Sequence, residues 1–103
     1  MKKLLKVAQA SLDDDKAQDV VVINLTGKTS FADYMIVASG TSQRQVATMA
    51  THLREKFKAA GVNEVPLEGA QKNDWLLIDG GDIIVHLFRS KIREFYALEK
   101  IWG

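Results

Sequence analysis

The sequence predicts an α/β fold in which helices pack on a mixed sheet of about five strands. Three observations support this prediction. An amphipathic helical pattern occupies the middle of the chain, short β-branched runs lie on both sides of it, and a Gly-Gly pair joins two of those runs by a tight connection. The predicted order of elements is α-β-β-α-β-β-β-α. With 103 residues, the chain has room for one domain, residues 1–103, built around one core.

The first helix is predicted over residues 2 to 12, because Leu5, Ala8 and Leu12 recur at helical spacing. Lysines at its start and aspartates at its end oppose the helix dipole, so tertiary packing must stabilise it. Two strands are predicted next, over residues 19–25 and 32–39, because both stretches are short and apolar.

The second helix shows the clearest pattern in the sequence. Ser42 and Gln45 have the spacing of a capping box, and Gly61 provides a C-terminal stop. The residues between them form one apolar stripe at helical spacing: Val46, Met49, Ala50, Leu53, Phe57 and Ala60.

Three short strands and a last helix are predicted after Gly61. Residues 64–67 form at most a short strand, and Pro66 favours the edge of the sheet because proline cannot donate to a β-ladder. Residues 69–73 are predicted to be a loop. Residues 75–79 and 82–88 flank Gly80-Gly81 and are predicted to form a hairpin. Ser90 is predicted to cap a C-terminal helix whose apolar residues are Ile92, Phe95, Tyr96, Leu98, Ile101 and Trp102.

The composition argues against several classes of protein. There are no cysteines, and His52 and His86 lie on different predicted elements, so we expect neither a metal site nor a cofactor. The 14 basic and 13 acidic residues give a net charge of +1, which disfavours a dedicated nucleic-acid binder. No apolar run approaches the roughly 20 residues of a membrane helix. Polar residues near the start of the chain interrupt the apolar region that a signal peptide would need. We expect a cytoplasmic protein that does not bind membranes.

The turn formed by Ser39, Gly40, Thr41 and Ser42 has two interpretations. Small residues between a strand and a helix often bind a phosphate, because free backbone N–H groups and the helix dipole meet there. The alternative is purely structural: Gly40 permits the turn and Ser42 caps the helix. We favour the structural interpretation, because the Walker lysine, the further glycines of a dinucleotide fingerprint and an Asp-x-Asp pair are all missing.

No group of residues suggests a catalytic site, and we predict no catalytic residue. Asp79 and Asp82 flank the Gly-Gly turn, where aspartate is common, so a turn-forming role is favoured over acid/base chemistry. His86 alternates with apolar residues and is expected to be packed and hydrogen-bonded. His52 lies on the polar side of the second helix and is expected to be solvated.

The segment from Phe88 to Trp102 carries more apolar and aromatic residues than one narrow buried stripe can hold. Exposed aromatic residues between Arg and Glu are typical of the hot spots of protein interfaces. The alternative is that this helix only closes a small core. The sequence supports both interpretations equally.

Four stretches of the chain closely resemble the ribosomal silencing factor family, also called Iojap-like. They read DYMIVASGTSxR (33–44), EG (68–69), WLLIDxGDIIVHLF (75–88) and REFYxLExIW (93–102). The motifs are long and ordered, and the match runs from about residue 5 to the end. The resemblance implies a nucleotidyltransferase-like fold that lacks the catalytic aspartates, in agreement with the missing Asp-x-Asp pair.

The resemblance also implies a function without catalysis. Members bind the large ribosomal subunit through ribosomal protein fourteen, block its association with the small subunit sterically, and thereby lower translation when nutrients are scarce. A factor that binds a basic ribosomal protein needs exposed aromatic and acidic groups more than positive charge of its own. The candidate partner-binding residues are Trp75, Asp79, His86, Phe88, Arg93, Glu94, Tyr96, Glu99 and Trp102. Asp74 and Asp82 are further candidates for pairing with basic groups, whereas Tyr34, Phe95 and Leu98 are expected in the core.

Three alternatives remain open at this stage. A residual nucleotide-binding or nucleotidyltransferase-like protein would use the turn from Ser39 to Ser42. A binder of naked ribosomal RNA would show a steep salt dependence. An exposed apolar C-terminal helix would also allow the free protein to form a homodimer.

Overall fold

The computed structural model describes residues 2–28, 32–69 and 74–90. The elements are α1 (Lys2–Asp14), β1 (Gln18–Asn24), β2 (Tyr34–Gly40), α2 (Gln43–Ala59), β3 (Leu67–Gly69), β4 (Trp75–Asp79) and β5 (Ile83–Arg89). The predicted order is confirmed as far as β5. The predicted C-terminal helix and most of the predicted loop before β4 lie outside the described residues.

The five strands form one mixed sheet in the order β1-β2-β5-β4-β3. β2 and β5 run parallel, with Tyr34 opposite Ile83 and Gly40 opposite Arg89. The other three pairings are antiparallel. The predicted α/β fold with a five-stranded mixed sheet is therefore confirmed.

Both described helices pack on the same face of the sheet. The apolar stripe predicted for α2 is buried from Val46 to Phe57, and Ala8 and Leu12 of α1 join it. The strands contribute alternate residues to this core, among them Ile36, Ala38, Leu76, Ile78, Ile83, Val85 and Leu87. The intervening strand residues point to the opposite face, where a second cluster contains Ile23, Met35, Val37 and Phe88.

Polar contacts fix the end of α1 against α2, which supports the expectation that tertiary contacts stabilise α1. The carboxylate of Asp15 lies 2.8 Å from Nδ1 of His52, and the side-chain amide of Gln45 donates to the carbonyls of Asp15 (3.1 Å) and Lys16 (3.3 Å). The expectation that His52 is solvated agrees with its side chain, which is 43% exposed, but the sequence did not predict its pairing with Asp15. Its ring is partly exposed but is paired, because the chain reversal after α1 brings Asp15 beside it.

Both ends of α2 have the predicted caps. The Ser42 hydroxyl accepts the backbone N–H of Gln45 at 3.0 Å. At the other end Gly61 has a φ of 103°, its N–H donates to Lys58, and the N–H of Val62 donates to Phe57. This is the Schellman arrangement, which requires a left-handed residue after the helix and so favours glycine.

The predicted hairpin between β4 and β5 is present, but its register differs by one residue from the prediction: Asp79 lies opposite Ile84, so Gly81 and Asp82 form the tip of the turn. The N–H of Gly80 donates to the carbonyl of Ile83, and that of Gly81 donates to the Asp79 carboxylate, each at 2.8 Å. A Cβ on Gly80 would lie 2.9 Å from the ring of Phe57, so the turn also packs closely on the end of α2. The turn-forming interpretation of Asp79 is confirmed.

The edge strand β3 has only three residues, and Pro66 directly precedes it, as expected for proline at an edge. The predicted strand over residues 64–67 is thus displaced toward the C-terminus. The Pro66 carbonyl nevertheless accepts the N–H of Asp79 at 3.0 Å and extends the pairing with β4.

We expect the cap at Ser42 to contribute to stability. Replacing Ser42 by Ala leaves the N–H of Gln45 without its acceptor and should lower the free energy of unfolding by about 1 kcal/mol in urea denaturation. Ser42→Asp is the matched control, because a carboxylate also accepts this N–H and interacts favourably with the helix dipole. Equal stability of Ser42→Ala and the unmodified protein would contradict the assigned cap.

Candidate functional site

The described residues include four of the nine predicted partner-binding residues: Trp75, Asp79, His86 and Phe88. The other five, Arg93, Glu94, Tyr96, Glu99 and Trp102, lie outside the described residues. Trp75 and Asp79 occupy the two ends of β4, while His86 and Phe88 lie on β5. All four belong to the face of the sheet opposite the two described helices.

Three rings on this face form a stacked aromatic group, which we call the Trp75 cluster: Trp75, His86 and Phe88. The ring centroids are 5.8 Å apart for Trp75 and His86, 5.9 Å for Trp75 and Phe88, and 6.2 Å for His86 and Phe88. The planes are parallel within 12°. The strand register causes this arrangement, because Trp75 lies directly opposite Phe88 and diagonally to His86 on the antiparallel neighbour.

A hydrogen bond orients the tryptophan within the cluster. The indole N–H of Trp75 donates to Nδ1 of His86 at 3.0 Å. A histidine that accepts at Nδ1 is neutral and carries its proton on Nε2. Burial agrees with this state, because it lowers the pKa of His86 from 6.5 to about 4.

His86 and Phe88, both predicted as partner-binding residues, are buried in the described structure. Phe88 has no exposed surface, because apolar residues that include Met35, Val37 and Trp75 pack against it, and His86 is only 6% exposed. The other expectation for His86, a packed and hydrogen-bonded side chain, is confirmed. Trp75 is half-buried and is the member of the cluster with accessible surface.

A polar cluster adjoins Trp75 at the same end of the sheet. The guanidinium of Arg89 donates from Nε to the Asp74 carboxylate at 2.6 Å, and the side-chain amide of Gln43 donates to the same oxygen at 3.3 Å. The backbone N–H of Arg89 also donates to the Asp74 carbonyl at 2.9 Å. Asp74 therefore serves an internal ion pair, which differs from its expected pairing with a partner's basic group.

Sequence reasoning did not find Arg89 and Gln43. Gln43 is 31 residues from Asp74 along the chain, and Arg89 is 15 residues away. Only the pairing of β4 with β5 and the position of α2 bring the three side chains together. No local pattern in the sequence therefore predicts this polar cluster.

The turn from Ser39 to Ser42 lies beside this cluster and is occupied by its own contacts. The Gln45 side-chain oxygen accepts both the backbone N–H of Thr41 (2.7 Å) and its hydroxyl (2.9 Å). The Ser42 hydroxyl serves as the helix cap, and Ser39 is buried. A Cβ on Gly40 would lie 3.0 Å from Val46, so strand and helix approach closely here. These contacts favour the structural interpretation of the turn over a phosphate site.

In residues 2–28, 32–69 and 74–90, no three His, Asp or Glu side chains group as metal ligands would. Over the same ranges, no helix is both long and apolar enough to cross a membrane.

Comparison with known proteins gives consistent matches over the whole chain. The family model described as "Ribosomal silencing factor during starvation" matches residues 1–103. The chain is 52% identical over 100 residues to ribosomal silencing factor RsfS of Zymomonas mobilis, covering 97% of this chain and 75% of the relative. It is 35% identical over 102 residues to the Bacillus subtilis protein of the same name, covering 99% and 86%.

A solved structure matches the fold as closely. The crystal structure of a Chromobacterium violaceum protein superposes with a TM-score of 0.94 at 36% identity. The superposition covers 100% of this chain and 86% of the other.

The neutral, buried state of His86 predicts a specific loss of stability in mild acid. Between about pH 6.5 and 4 the unfolded chain binds a proton at His86 that the folded chain does not bind. The free energy of unfolding should therefore decrease as the pH falls through this range, by up to about 1.4 kcal/mol per pH unit from this residue.

The measurement is urea denaturation at several pH values for the unmodified protein and for His86→Gln. Glutamine retains an acceptor for the Trp75 indole but does not titrate, and all other ionisable groups are common to both proteins. Identical slopes of stability against pH in the two proteins would contradict the assigned state of His86.

Proposed function

Because this chain belongs to the ribosomal silencing factor family, we propose that it binds the large ribosomal subunit through ribosomal protein fourteen and blocks association with the small subunit. The proposed action is steric, takes place in the cytoplasm and lowers translation when nutrients are scarce. The observation that carries the proposal is the family match over residues 1–103. The names of the matched relatives support ribosome silencing and hence regulation of translation.

The geometry supports a binding role without catalysis. The hydroxyl groups of Thr41 and Ser42, which a nucleotide site at the turn would use, already bond within the chain. The sheet and the two described helices form a continuous packed body, which suits a factor that acts by occupying space. A net charge of +1 fits a factor that binds a basic protein and not RNA.

We propose that the partner surface centres on the exposed part of Trp75. His86 and Phe88 lie beside the indole on the neighbouring strand: Phe88 stacks with it, and His86 both stacks with it and accepts its N–H. A tryptophan held in one orientation has little conformational entropy left to lose on binding, which favours affinity. The residues proposed to contact the partner directly are Trp75, Asp79, Arg93, Glu94, Tyr96, Glu99 and Trp102.

The direct test is sucrose-gradient sedimentation of purified small and large subunits with and without the protein. The proposal expects the protein to co-sediment with the large subunit and the fraction of joined ribosomes to fall as its concentration rises. Normal formation of joined ribosomes at saturating protein would contradict the steric mechanism.

Single substitutions at the proposed surface should weaken binding to isolated large subunits. Replacing Trp102 or Glu99 by Ala is expected to cost about 2 kcal/mol, or roughly 30-fold in affinity, if these residues act as interface anchors. The matched control is Glu55→Ala, which removes the same carboxylate as Glu99→Ala from the exposed side of α2. Circular dichroism checks that each variant is folded.

A combined variant tests the surface as a whole. Alanine at Trp75, Glu94, Glu99 and Trp102 together should abolish co-sedimentation with the large subunit. Retained co-sedimentation would show that the surface lies elsewhere, even if subunit joining is still blocked.

A further inference from the structure

We propose that the groove between α1 and α2 is a second docking surface, which binds an acidic amphipathic helix of a protein partner. The two helices are adjacent and antiparallel: Asp15, after the end of α1, meets His52, and Ala10 lies near Ala59. They cover the face of the sheet opposite the Trp75 cluster. The groove and the surface proposed around Trp75 are thus on different sides of the molecule, and the inference does not rest on the proposed function.

The floor of the groove is apolar and accessible. Two adjoining depressions of about 470 and about 450 Å³ share Val7 and Ala10 of α1. The described lining of the first comes from α1 alone, whereas the second extends to Ala59 and Ala60 at the end of α2. Val7 and Ala60 are half-buried, whereas Ala10 and Ala59 are exposed. Small side chains allow the backbone of a third helix to approach closely, and ridge-into-groove packing needs such a shape.

The rim of the groove is basic. Lys3 and Lys6 stand along α1 and Lys56 along α2, and no acidic side chain is among the described residues that line either depression. Lys56 lies 3.6 Å from the carboxylate of Asp14, so its charge is partly balanced. No ion pair is recorded for Lys3 or Lys6 within the described part of the chain.

This arrangement of charge has an energetic cost in the isolated protein. Lys3 and Lys6 lie in the first two turns of α1, where the helix dipole disfavours cations, and they are three residues apart, so they also repel each other. A carboxylate-bearing partner would relieve both effects. An apolar floor between basic rims is complementary to a helix with an apolar stripe flanked by Glu or Asp. RNA would use the lysines but would leave the apolar floor without a complementary surface.

The test is titration of the ¹⁵N-labelled full-length protein with a synthetic amphipathic peptide that carries a leucine stripe flanked by glutamates. The expected result is a set of chemical-shift changes centred on the amides of Val7, Ala10, Ala59 and Ala60, with affinity that weakens as salt is raised. A peptide with the same leucine stripe flanked by lysines should not bind.

Charge reversal provides the matched comparison. The double variant Lys3→Glu/Lys6→Glu should bind the acidic peptide at least about tenfold more weakly, because two attractions become repulsions. It should remain folded, because glutamate near the start of α1 suits the helix dipole. The control Lys16→Glu/Arg44→Glu makes the same change in net charge at exposed residues that do not line the groove. The affinity of this control variant for the acidic peptide should stay within about twofold of that of the unmodified protein.

Three results would overturn the proposal. One is the absence of shift changes with the acidic peptide up to about 1 mM, the affinity of a very weak complex. Another is an equal loss of affinity for the acidic peptide in both double variants, which would indicate only non-specific electrostatic attraction. The third is the same pattern of shifts with single-stranded oligouridylate instead of the peptide, which would assign the groove to nucleic acid.

Discussion

The parallel pairing of β2 with β5 is the interaction on which the rest of the structure depends. Parallel neighbours cannot be joined by a tight turn, so the chain must cross from the end of one strand to the start of the other. Here α2 and the β3–β4 segment form that connection, and α2 packs over the strands it joins. The pairing also aligns Gly40 with Arg89, which brings the start of α2 and the end of β5 to the same end of the sheet.

That alignment explains why several polar and aromatic contacts of the described residues are concentrated at one end of the sheet. The cap of α2, the Asp74–Arg89 ion pair and the Trp75 cluster are neighbours there, although they come from distant parts of the sequence. The turn from Ser39 to Ser42 illustrates the consequence. Its composition suits an anion site, but Gln45 binds Thr41 and also reaches the end of α1, so the turn connects three elements instead of presenting free donors.

The placement of both described helices on one face gives the two sides of the molecule different properties. On the sheet side, the rings of His86 and Phe88 are buried and determine the orientation of a half-buried tryptophan. On the helix side, lysines surround an apolar groove between α1 and α2. An α/β layer of this kind can therefore offer two chemically distinct surfaces on opposite sides.

Local patterns in the sequence were sufficient for the elements and much of the core. The helical stripe from Val46 to Phe57, the cap at Ser42, the stop at Gly61 and the Gly80-Gly81 turn all depend on residues a few positions apart, where periodicity and turn chemistry operate. The family was also evident from ordered motifs in the sequence. Burial and pairing were not: no local pattern predicted that Phe88 is fully buried or that His52 pairs with Asp15. Burial and pairing depend on which strands and helices become neighbours, and residues as distant as Asp15 and His52 meet only in the folded chain. The sequence by itself thus determined the family, the mixed sheet and most of the secondary structure of the described residues. Only the tertiary structure decided which side chains are accessible, because accessibility depends on long-range packing that local residue patterns do not encode.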